Sequence, residues 1–355
     1  MRIAFDLSAL TTPHSGVATY TRNLAEHLRS CRQDQILPVT HTSVLPRPLN
    51  KTLWMQAVLP FQLSRVAPDV CHFTNSVASW WTPCPSVVTI HDTTLWILPR
   101  YHPRRRLLAM RPFIPAGARH ARAIIAVSAA TKRDVVRTLK VPESKVHVVY
   151  EAAAPQFRPL SRTAPLEAVR TKYGLPESFA LYVGTIEPRK NLVRLFEAFQ
   201  VVRRQGCGSS VLALVGDRGW SDAAILASIE RLRLGDAVRI LGHAPIDDVV
   251  ALYNLADLLV LPSLYEGFGL PVIEAMACGT PVVTSPNGAL AEVGGDAAEY
   301  VDPTQVESIA AGIYAVLSDP ERQAALRAAG LRQAADFSWE ATAEQTRRVY
   351  EAARR

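Results

Sequence analysis

One stretch of the sequence decides the fold of the chain's second half, Pro262-Ser-Leu-Tyr-Glu-Gly-Phe-Gly-Leu-Pro-Val-Ile-Glu-Ala-Met-Ala-Cys-Gly-Thr-Pro281. It lies between two apolar runs that are typical of buried parallel strands, residues 258–261 and 281–284. Pro271 suits the first turn of a helix, and Gly279 suits the left-handed residue that ends one. The stretch therefore predicts a strand, a loop, a short helix and a second strand.

The start of this short helix has the features of a ligand-binding site. Gly267 and Gly269 let the backbone approach a ligand closely, and the free N–H groups and the helix dipole favour an anion such as phosphate. Glu266 and Glu274 flank the same place. Because a carboxylate beside an anion is electrostatically costly, we expect both glutamates to accept hydrogen bonds from hydroxyl groups, as in a sugar and a ribose.

Apolar runs alternate with helical patterns along the whole chain, which predicts an α/β protein with doubly wound parallel sheets. The expected strands are 2–9, 35–41, 69–73, 86–91, 122–127, 145–150, 179–184, 210–215, 237–241, 258–261, 281–284 and 299–301. Between residues 151 and 176 the periodicity weakens and prolines recur, which is typical of a linker. We expect a first domain over 1–160, a second over 161–335, and a final helix over 336–355 that packs back on the first.

Composition limits the classes of function. The 355 residues suffice for two domains, and the net charge of +7 suggests an anionic partner, although the basic residues are too dispersed to indicate nucleic acid. The five cysteines include no C-x-x-C pair, which argues against a zinc site and favours a reducing cytosol. The first residues resemble a strand rather than a signal peptide, and no uncharged apolar run approaches about 20 residues. We expect a cytoplasmic protein whose contact with a membrane is peripheral.

A basic and apolar segment follows the fourth strand. Between Thr93 and Arg133 there is no acidic residue, whereas arginines recur among bulky apolar residues. This pattern suits an anionic membrane surface or a phosphorylated lipid acceptor. A solvated basic face is the alternative.

Further candidate residues lie near other strand ends. His91 follows the fourth strand at its carboxyl end, where open α/β sheets hold their functional residues. The alternative is a structural histidine whose ring only makes hydrogen bonds within the protein. Arg189 and Lys190 precede a helix for which Asn191 is the expected N-cap, and an anion there gains from both dipole and charge. Gly16, before the first helix, admits a diphosphate or is a simple turn glycine.

The motifs resemble those of the retaining glycosyltransferases of family 4. Glu266 and Glu274 reproduce the E-x7-E signature of that family, with residues 267–271 intact between them, and residues 187–191 match its phosphate-binding motif. The resemblance implies the GT-B fold, in which two Rossmann-like doubly wound parallel-sheet domains face each other across a cleft. The second domain would hold a nucleotide-sugar donor, and the acceptor would enter from the first.

The resemblance also implies a role for each residue of the second domain. Glu274 would hold the ribose hydroxyls. Glu266 would hold the transferring sugar, together with the loop backbone at Phe268, Gly269 and Leu270.

The same resemblance indicates which residues would neutralise the diphosphate and which would allow the first domain to close on it. Arg189 and Lys190 would neutralise the diphosphate, but Thr185 stands where many relatives carry a basic residue, so Arg189 would take over part of that charge stabilisation. His91 would lie near the sugar on the acceptor side. Gly16 would let the first domain close on the phosphates.

Cleavage of the anomeric bond puts negative charge on the leaving diphosphate, so cations must meet it. The chain contains no D-x-D motif. We therefore expect Arg189, Lys190 and helix dipoles to replace a bound metal, with no cofactor. In retaining members of the family the leaving phosphate deprotonates the acceptor, so Glu266, although a catalytic candidate with His91, is not expected to be a nucleophile.

The donor is suggested by two segments, 184–191 and 91–103, which look like those of bacterial mannosyl- or deoxyhexosyltransferases of surface polysaccharide synthesis. They imply a GDP-sugar donor and a lipid-linked or lipopolysaccharide glycan acceptor, with a UDP-sugar as the alternative donor. An NAD-dependent oxidoreductase shares doubly wound domains, but the chain has no G-x-G-x-x-G. A non-catalytic nucleotide-sugar-binding protein is the remaining alternative, and it would not need His91.

Overall fold

The structure is a computed structural model that describes residues 1–12, 15–30, 34–41, 54–161, 163–206 and 210–355. The chain forms two compact units, Met1–Glu151 with Ser338–Arg355, and Ala152–Phe337. The first unit thus ends at Glu151 rather than at residue 160. Of the five cysteines, Cys31 and Cys207 lie outside the described residues, and the other three are free thiols.

The first unit contains a six-stranded parallel sheet with the strand order β2-β1-β3-β4-β5-β6. Its strands are β1 (Arg2–Asp6), β2 (Gln35–Val39), β3 (Val70–Phe73), β4 (Ser86–Ile90), β5 (Ala123–Ala126) and β6 (Val146–Val148). The central strands are buried along their whole length, as expected when helices cover both faces of a parallel sheet. The helices before residue 152 are α1 (Gly16–Ser30), α2 (Leu59–Val66), α3 (Thr94–Ile97), α4 (Arg104–Met110), α5 (Phe113–His120) and α6 (Ala129–Leu139).

The second unit contains another six-stranded parallel sheet, with the order β12-β11-β10-β7-β8-β9. Its strands are β7 (Phe179–Val183), β8 (Val211–Val215), β9 (Val238–Gly242), β10 (Leu258–Leu261), β11 (Val282–Thr284) and β12 (Glu299–Tyr300). Its helices are α7 (Ala164–Lys172), α8 (Leu192–Arg204), α9 (Asp222–Arg231), α10 (Ile246–Leu255), α11 (Leu270–Ala277), α12 (Leu290–Gly294), α13 (Val306–Leu317) and α14 (Pro320–Ala335). No helix in the described parts of either unit is both long and apolar enough to cross a bilayer.

The predicted doubly wound α/β architecture is confirmed in both halves. Every expected strand overlaps a strand of the structure, but the first was predicted too long, since it ends at Asp6 rather than at residue 9. The Asp6 carboxylate accepts a hydrogen bond of 2.8 Å from the backbone N–H of Ser8. This local bond turns the chain into a short 3-10 helix, because aspartate side chains that bond their own backbone favour turns.

The last helix, α15 (Trp339–Arg354), belongs to the first unit and buries a hydroxyl among that unit's polar groups. The Tyr350 hydroxyl lies 2.6 Å from Nδ1 of His72, and Nε2 of His72 lies 2.8 Å from Oγ1 of Thr89. Burial, together with the charge of His91, lowers the pKa of His72 to about 3. His72 is therefore neutral, and α15 supplies the hydrogen-bond partner that one of its ring nitrogens requires.

We expect Tyr350→Phe to lower the free energy of unfolding by about 1–3 kcal/mol, because a buried ring nitrogen of His72 loses its partner. Urea unfolding followed by circular dichroism measures the change. Tyr314→Phe, at a site that is 37% exposed, is the matched control and should leave the value unchanged. Equal stability of both variants would show that the bond to His72 contributes nothing.

Candidate functional site

The stretch that decides the fold of the second unit forms the predicted strand, loop and helix. β10 ends at Leu261 and α11 begins at Leu270, with Pro271 in its first turn. Gly269 and Gly279, at the two ends of α11, have φ angles of 107° and 73°. Both angles are in the region that glycine adopts without strain, so these glycines set where the helix begins and ends. At the start of α11, Pro271 has no N–H, and the N–H of Val272 donates to the carbonyl oxygen of Gly269 at 2.9 Å.

Four charged residues form a cluster at this loop, which we call the charged cluster: the buried Glu187, Lys190 and Glu266 and the partly buried Arg189. Oε1 of Glu266 lies 2.6 Å from Nζ of Lys190, and its Oε2 lies 2.7 Å from Nη1 of Arg189. Arg189 also binds Oε1 of Glu187 at 2.8 Å. The sequence predicted that both cations and Glu266 belong to one site, but not that they pair directly.

The charge of Glu266 is fixed by its cationic neighbours. Burial alone would raise the pKa of this carboxyl group, but the charges of Arg189 and Lys190 overcome that effect and lower the pKa to about 2. Glu266 is therefore ionised at all ordinary pH values. An ionised carboxylate accepts hydrogen bonds and donates none, which is what binding to a hydroxyl requires.

The backbone around Glu266 depends on Gly288, which sequence reasoning missed. The N–H of Ala289 donates to the Glu266 carbonyl oxygen at 3.0 Å. A Cβ atom on Gly288 would lie 2.2 Å from that same oxygen, so no other residue fits without movement of the chain. The Asn287-Gly288 pair, a common turn signal, was the one sequence feature that could have indicated this site.

Glu274 lies on α11 and is 9% exposed. Its Oε2 accepts a hydrogen bond of 3.1 Å from the hydroxyl of Tyr253, on α10. Burial and the charge of Glu274 raise the pKa of Tyr253 well above its usual value, so the phenol remains a donor. Sequence reasoning missed Tyr253, because an aromatic residue on an amphipathic helix looks like an ordinary core residue.

Asn191 precedes α8, as predicted, but it does not cap the helix as expected. Its backbone is left-handed, with φ of 63°, and its side chain makes no capping bond. Instead, Nδ2 donates to the carbonyl oxygens of Pro303, at 2.6 Å, and Pro262, at 3.2 Å. The amide therefore ties the start of α8 to the loop after β10, while Oδ1, the atom that a cap would use, accepts a hydrogen bond of 2.9 Å from Nη1 of Arg194.

The remaining residues of the predicted loop have side chains that are absent or at least partly buried, so their backbone is the part that a ligand could contact. Phe268 is buried, and its ring packs edge-to-face against Phe337 with centroids 5.9 Å apart. Gly267, Gly269 and Leu270 complete the segment that leads into α11. The structure therefore brings this segment, Glu266, Arg189 and Lys190 together at one end of the second unit's sheet.

His91 and Gly16 belong to the first unit. Nε2 of His91 lies 2.9 Å from the carbonyl oxygen of Thr74, and Nδ1 lies 3.1 Å from the carboxylate of Glu151. Burial opposes protonation of His91, but the contacts with Glu151 outweigh it and raise the pKa of the ring. Both ring nitrogens are thus engaged, an arrangement that the sequence did not predict. Gly16 is exposed at the first position of α1.

No three His, Cys, Asp or Glu side chains lie close enough together to hold a metal ion in the parts of the chain that the structure describes.

Comparison with known proteins places the chain in a family. The model "Glycosyltransferase Family 4" matches residues 14–156, and "Glycosyl transferases group 1" matches residues 167–333. O-antigen chain mannosyltransferase B of Escherichia coli is 37% identical over 266 residues, which is 75% of this chain and 70% of the relative.

Two solved structures show the same fold. WaaG, a glycosyltransferase involved in lipopolysaccharide biosynthesis, aligns with a TM-score of 0.76 at 17% identity over 97% of each chain. Anabaena HepE, in complex with UDP and glucose, aligns with a TM-score of 0.77 at 18% identity over 99% of this chain and 100% of HepE.

The two parallel sheets and these matches define a glycosyltransferase with the GT-B fold. The chain belongs to glycosyltransferase family 4, within the glycosyl transferases of group 1. The family and the fold predicted from the sequence are therefore confirmed, and the oxidoreductase alternative is excluded.

We expect Lys190→Met to lower the free energy of unfolding by about 3–5 kcal/mol at pH 7, because the buried charge of Glu266 loses one of its two cations. The loss should shrink as the pH falls from 4.5, the usual pKa of a glutamate, towards 2, because the depressed pKa of Glu266 stabilises the folded chain only while the carboxyl is ionised.

Urea unfolding at several pH values measures both effects. Lys172→Met is the matched control, since Lys172 pairs with Asp248 at the surface and its loss should change stability little. If the free energy of unfolding that Lys190→Met loses does not depend on pH, the charge of Glu266 is not the cause of the loss.

Proposed function

We propose that this glycosyltransferase transfers a hexose, mannose or a deoxyhexose, from a GDP-sugar to a glycan acceptor with retention of the anomeric configuration. The observation that carries the proposal is the charged cluster, in which the buried Lys190 and the partly buried Arg189 meet Glu266 beside the start of α11. The mannosyltransferase name of the Escherichia coli relative supports mannose, and its O-antigen name supports a lipid-linked or lipopolysaccharide glycan as the acceptor.

The cations are held in place before a donor arrives. Glu187 and Glu266 balance Arg189 and Lys190, so the charged cluster has no formal net charge. An incoming diphosphate is attracted by the α11 dipole and shares the cations with Glu266. Because these long side chains are already ordered, binding costs little side-chain entropy.

The two glutamates bind hydroxyl groups in this proposal. Glu266 accepts hydrogen bonds from the transferring sugar, since its carboxylate is ionised and acts only as an acceptor. Glu274 accepts a bond from Tyr253 and uses its remaining lone pairs for the ribose. The backbone of residues 267–270 approaches the donor closely, because Gly269 places no side chain there.

The chemical step requires stabilisation of charge rather than an enzyme nucleophile. The bond between the anomeric carbon and the diphosphate oxygen breaks, and the leaving phosphate takes the acceptor's hydroxyl proton as the new glycosidic bond forms. Arg189, Lys190 and the α11 dipole stabilise the leaving group, and no metal is required in this proposal. A carboxylate held by two cations is a poor nucleophile, which supports a binding role for Glu266.

In this proposal His91 is a protonated ring, because both of its partners are hydrogen-bond acceptors and the Glu151 carboxylate raises its pKa. Its two nitrogens bind Thr74 and Glu151, so it contributes positive charge rather than removing a proton. We propose that this charge supports turnover on the acceptor side.

A UDP-sugar is the second candidate donor, because the HepE structure of the same fold contains UDP and glucose. A panel of nucleotide-sugars distinguishes the two donors. We expect GDP-mannose to give transfer or slow hydrolysis in the presence of EDTA, and the α-anomer in the product by NMR. Activity with UDP-sugars alone would contradict the GDP assignment, and loss of activity in EDTA would contradict metal independence.

We expect Lys190→Ala and Glu274→Ala each to weaken GDP binding at least about tenfold, which corresponds to one lost hydrogen bond to a charged group. His91→Ala should spare binding and lower kcat. Isothermal titration calorimetry and a transfer assay measure these effects, with Lys172→Ala as the control. Full transfer activity in His91→Ala would remove its proposed role.

The acceptor is proposed to lie at the inner face of the cytoplasmic membrane, and α4 offers the surface for that contact. Arg104, Arg105 and Arg106 are exposed on this helix, and Leu108 is 79% exposed. Arginines bind anionic headgroups and an exposed leucine enters the apolar boundary, so this surface suits a peripheral contact.

We expect the combined change Arg104→Ser, Arg105→Ser and Arg106→Ser to reduce binding to vesicles that contain anionic lipid, and the effect to fade with added salt. Vesicle co-sedimentation measures it. The combination Arg231→Ser, Arg239→Ser and Arg348→Ser removes equal charge from other exposed sites and should bind as the parent does. Equal binding by both variants would exclude α4 as the contact.

A further inference from the structure

A second concave site lies in the first unit, at the edge of the sheet opposite His91. It is a groove of about 630 Å³ that is formed by the segments leading into β4, β5 and β6. The residues that matter for the argument are Trp80, Trp81, His120, Arg122, Ser144 and Lys145. Because all strands of this sheet are parallel, the groove is at their amino ends, whereas His91 follows the carboxyl end of β4.

One wall of the groove is aromatic and is held rigidly. Trp81 is 58% exposed and Trp80 is 41% exposed. Trp80 stacks on Phe113, with ring centroids 5.3 Å apart and planes 14° apart, and its backbone N–H donates to Oε1 of Gln56 at 2.8 Å. Adjacent exposed tryptophans on a fixed segment are costly to leave in water, so a concave surface that presents them is typical of a binding site.

The rest of the lining is basic. It contains His120, Arg122 and Lys145 and no acidic residue. Lys132 nearby pairs with Glu143, whereas Arg122 and Lys145 form no ion pair within the described ranges of the chain. Among the residues that the structure describes, Nζ of Lys145 donates to the carbonyl oxygen of Arg119, at 2.5 Å.

These two cations also repel each other. Burial and the charge of Arg122 lower the pKa of Lys145. An anion between them would relieve the repulsion and gain charge-assisted hydrogen bonds from both. The charge of the groove is thus complementary to a negative ligand.

We propose that this groove binds a negatively charged carbohydrate. The apolar C–H face of a sugar ring packs on Trp81, the phosphate or carboxylate of the sugar pairs with Arg122 and Lys145, and Ser144 bonds a hydroxyl group. The volume is in the range of about 300–1,000 Å³ that small-molecule sites occupy, so it suits a short part of a glycan.

The groove is separate from His91 within the first unit. β4 has five residues and spans about 17 Å between the groove and His91. A sugar in the groove therefore does not touch His91. It would hold a distant part of a glycan chain while another part reacts, and its occupancy can be measured without any transfer reaction.

The test uses the full chain with excess GDP present, so that a nucleotide site is filled, and mannose 6-phosphate as the probe. Saturation-transfer NMR should show that it binds, and that mannose and inorganic phosphate each bind at least tenfold more weakly. Trp81→Ala and Arg122→Gln should each weaken binding of mannose 6-phosphate at least tenfold. Phe61→Ala and Arg231→Gln, at exposed sites elsewhere, should bind it as the parent does.

Three results would overturn the proposal. Unchanged binding in Trp81→Ala would show that the aromatic wall is not used. Binding of inorganic phosphate as tight as that of mannose 6-phosphate would show a site for any anion, and tighter binding of a nucleoside monophosphate would show a site for aromatic anions. Arg122 is exposed, and its side chain makes no hydrogen bond or ion pair within the described residues. The Arg122→Gln variant should therefore fold normally, so that a loss of binding reports on the groove.

Discussion

The pairing of Glu266 with Arg189 and Lys190 is the interaction that holds together the loops after β7 and β10 in the second unit. The two cations follow β7 and the carboxylate follows β10, and these strands are neighbours in the sheet. An unpaired carboxylate at this depth would cost several kcal/mol, so the two loops are stable only when they meet. The backbone adds to the same connection, since the N–H of Leu264 donates to the carbonyl oxygen of Arg189 at 3.0 Å. The loops are therefore ordered before any ligand binds.

In the first unit, too, the contacts of buried side chains set their pKa values, as His72 and His91 show. His72 and His91 lie on neighbouring strands or directly after them, yet the pKa of His72 is lowered and that of His91 is raised. Each ring has a contact on both nitrogens, and only His91 has a carboxylate among its contacts. The Glu151 carboxylate thus raises the pKa of His91, and the charge of His91 contributes to lowering the pKa of His72.

The sequence predicted the parts of the structure that depend on local pattern. Apolar patterns predicted the twelve strands of the described residues, and Pro271 and Gly279 predicted the limits of α11, because these signals act within a few residues. It could not predict that Glu266 binds Lys190, since 76 positions separate them. The tertiary contacts also directed the Asn191 amide to Pro303 instead of to a helix cap. Such contacts depend on which loops the sheet order brings together.

The place of α15 in the first unit has a consequence for biosynthesis. Tyr350, which bonds His72, is made 278 residues after it. At a synthesis rate of about 5–20 residues per second, His72 waits roughly 15–55 s on the ribosome for its partner. The second unit is translated during that interval and has all of its own strands before α15 appears. The first unit to emerge is therefore the last to be completed.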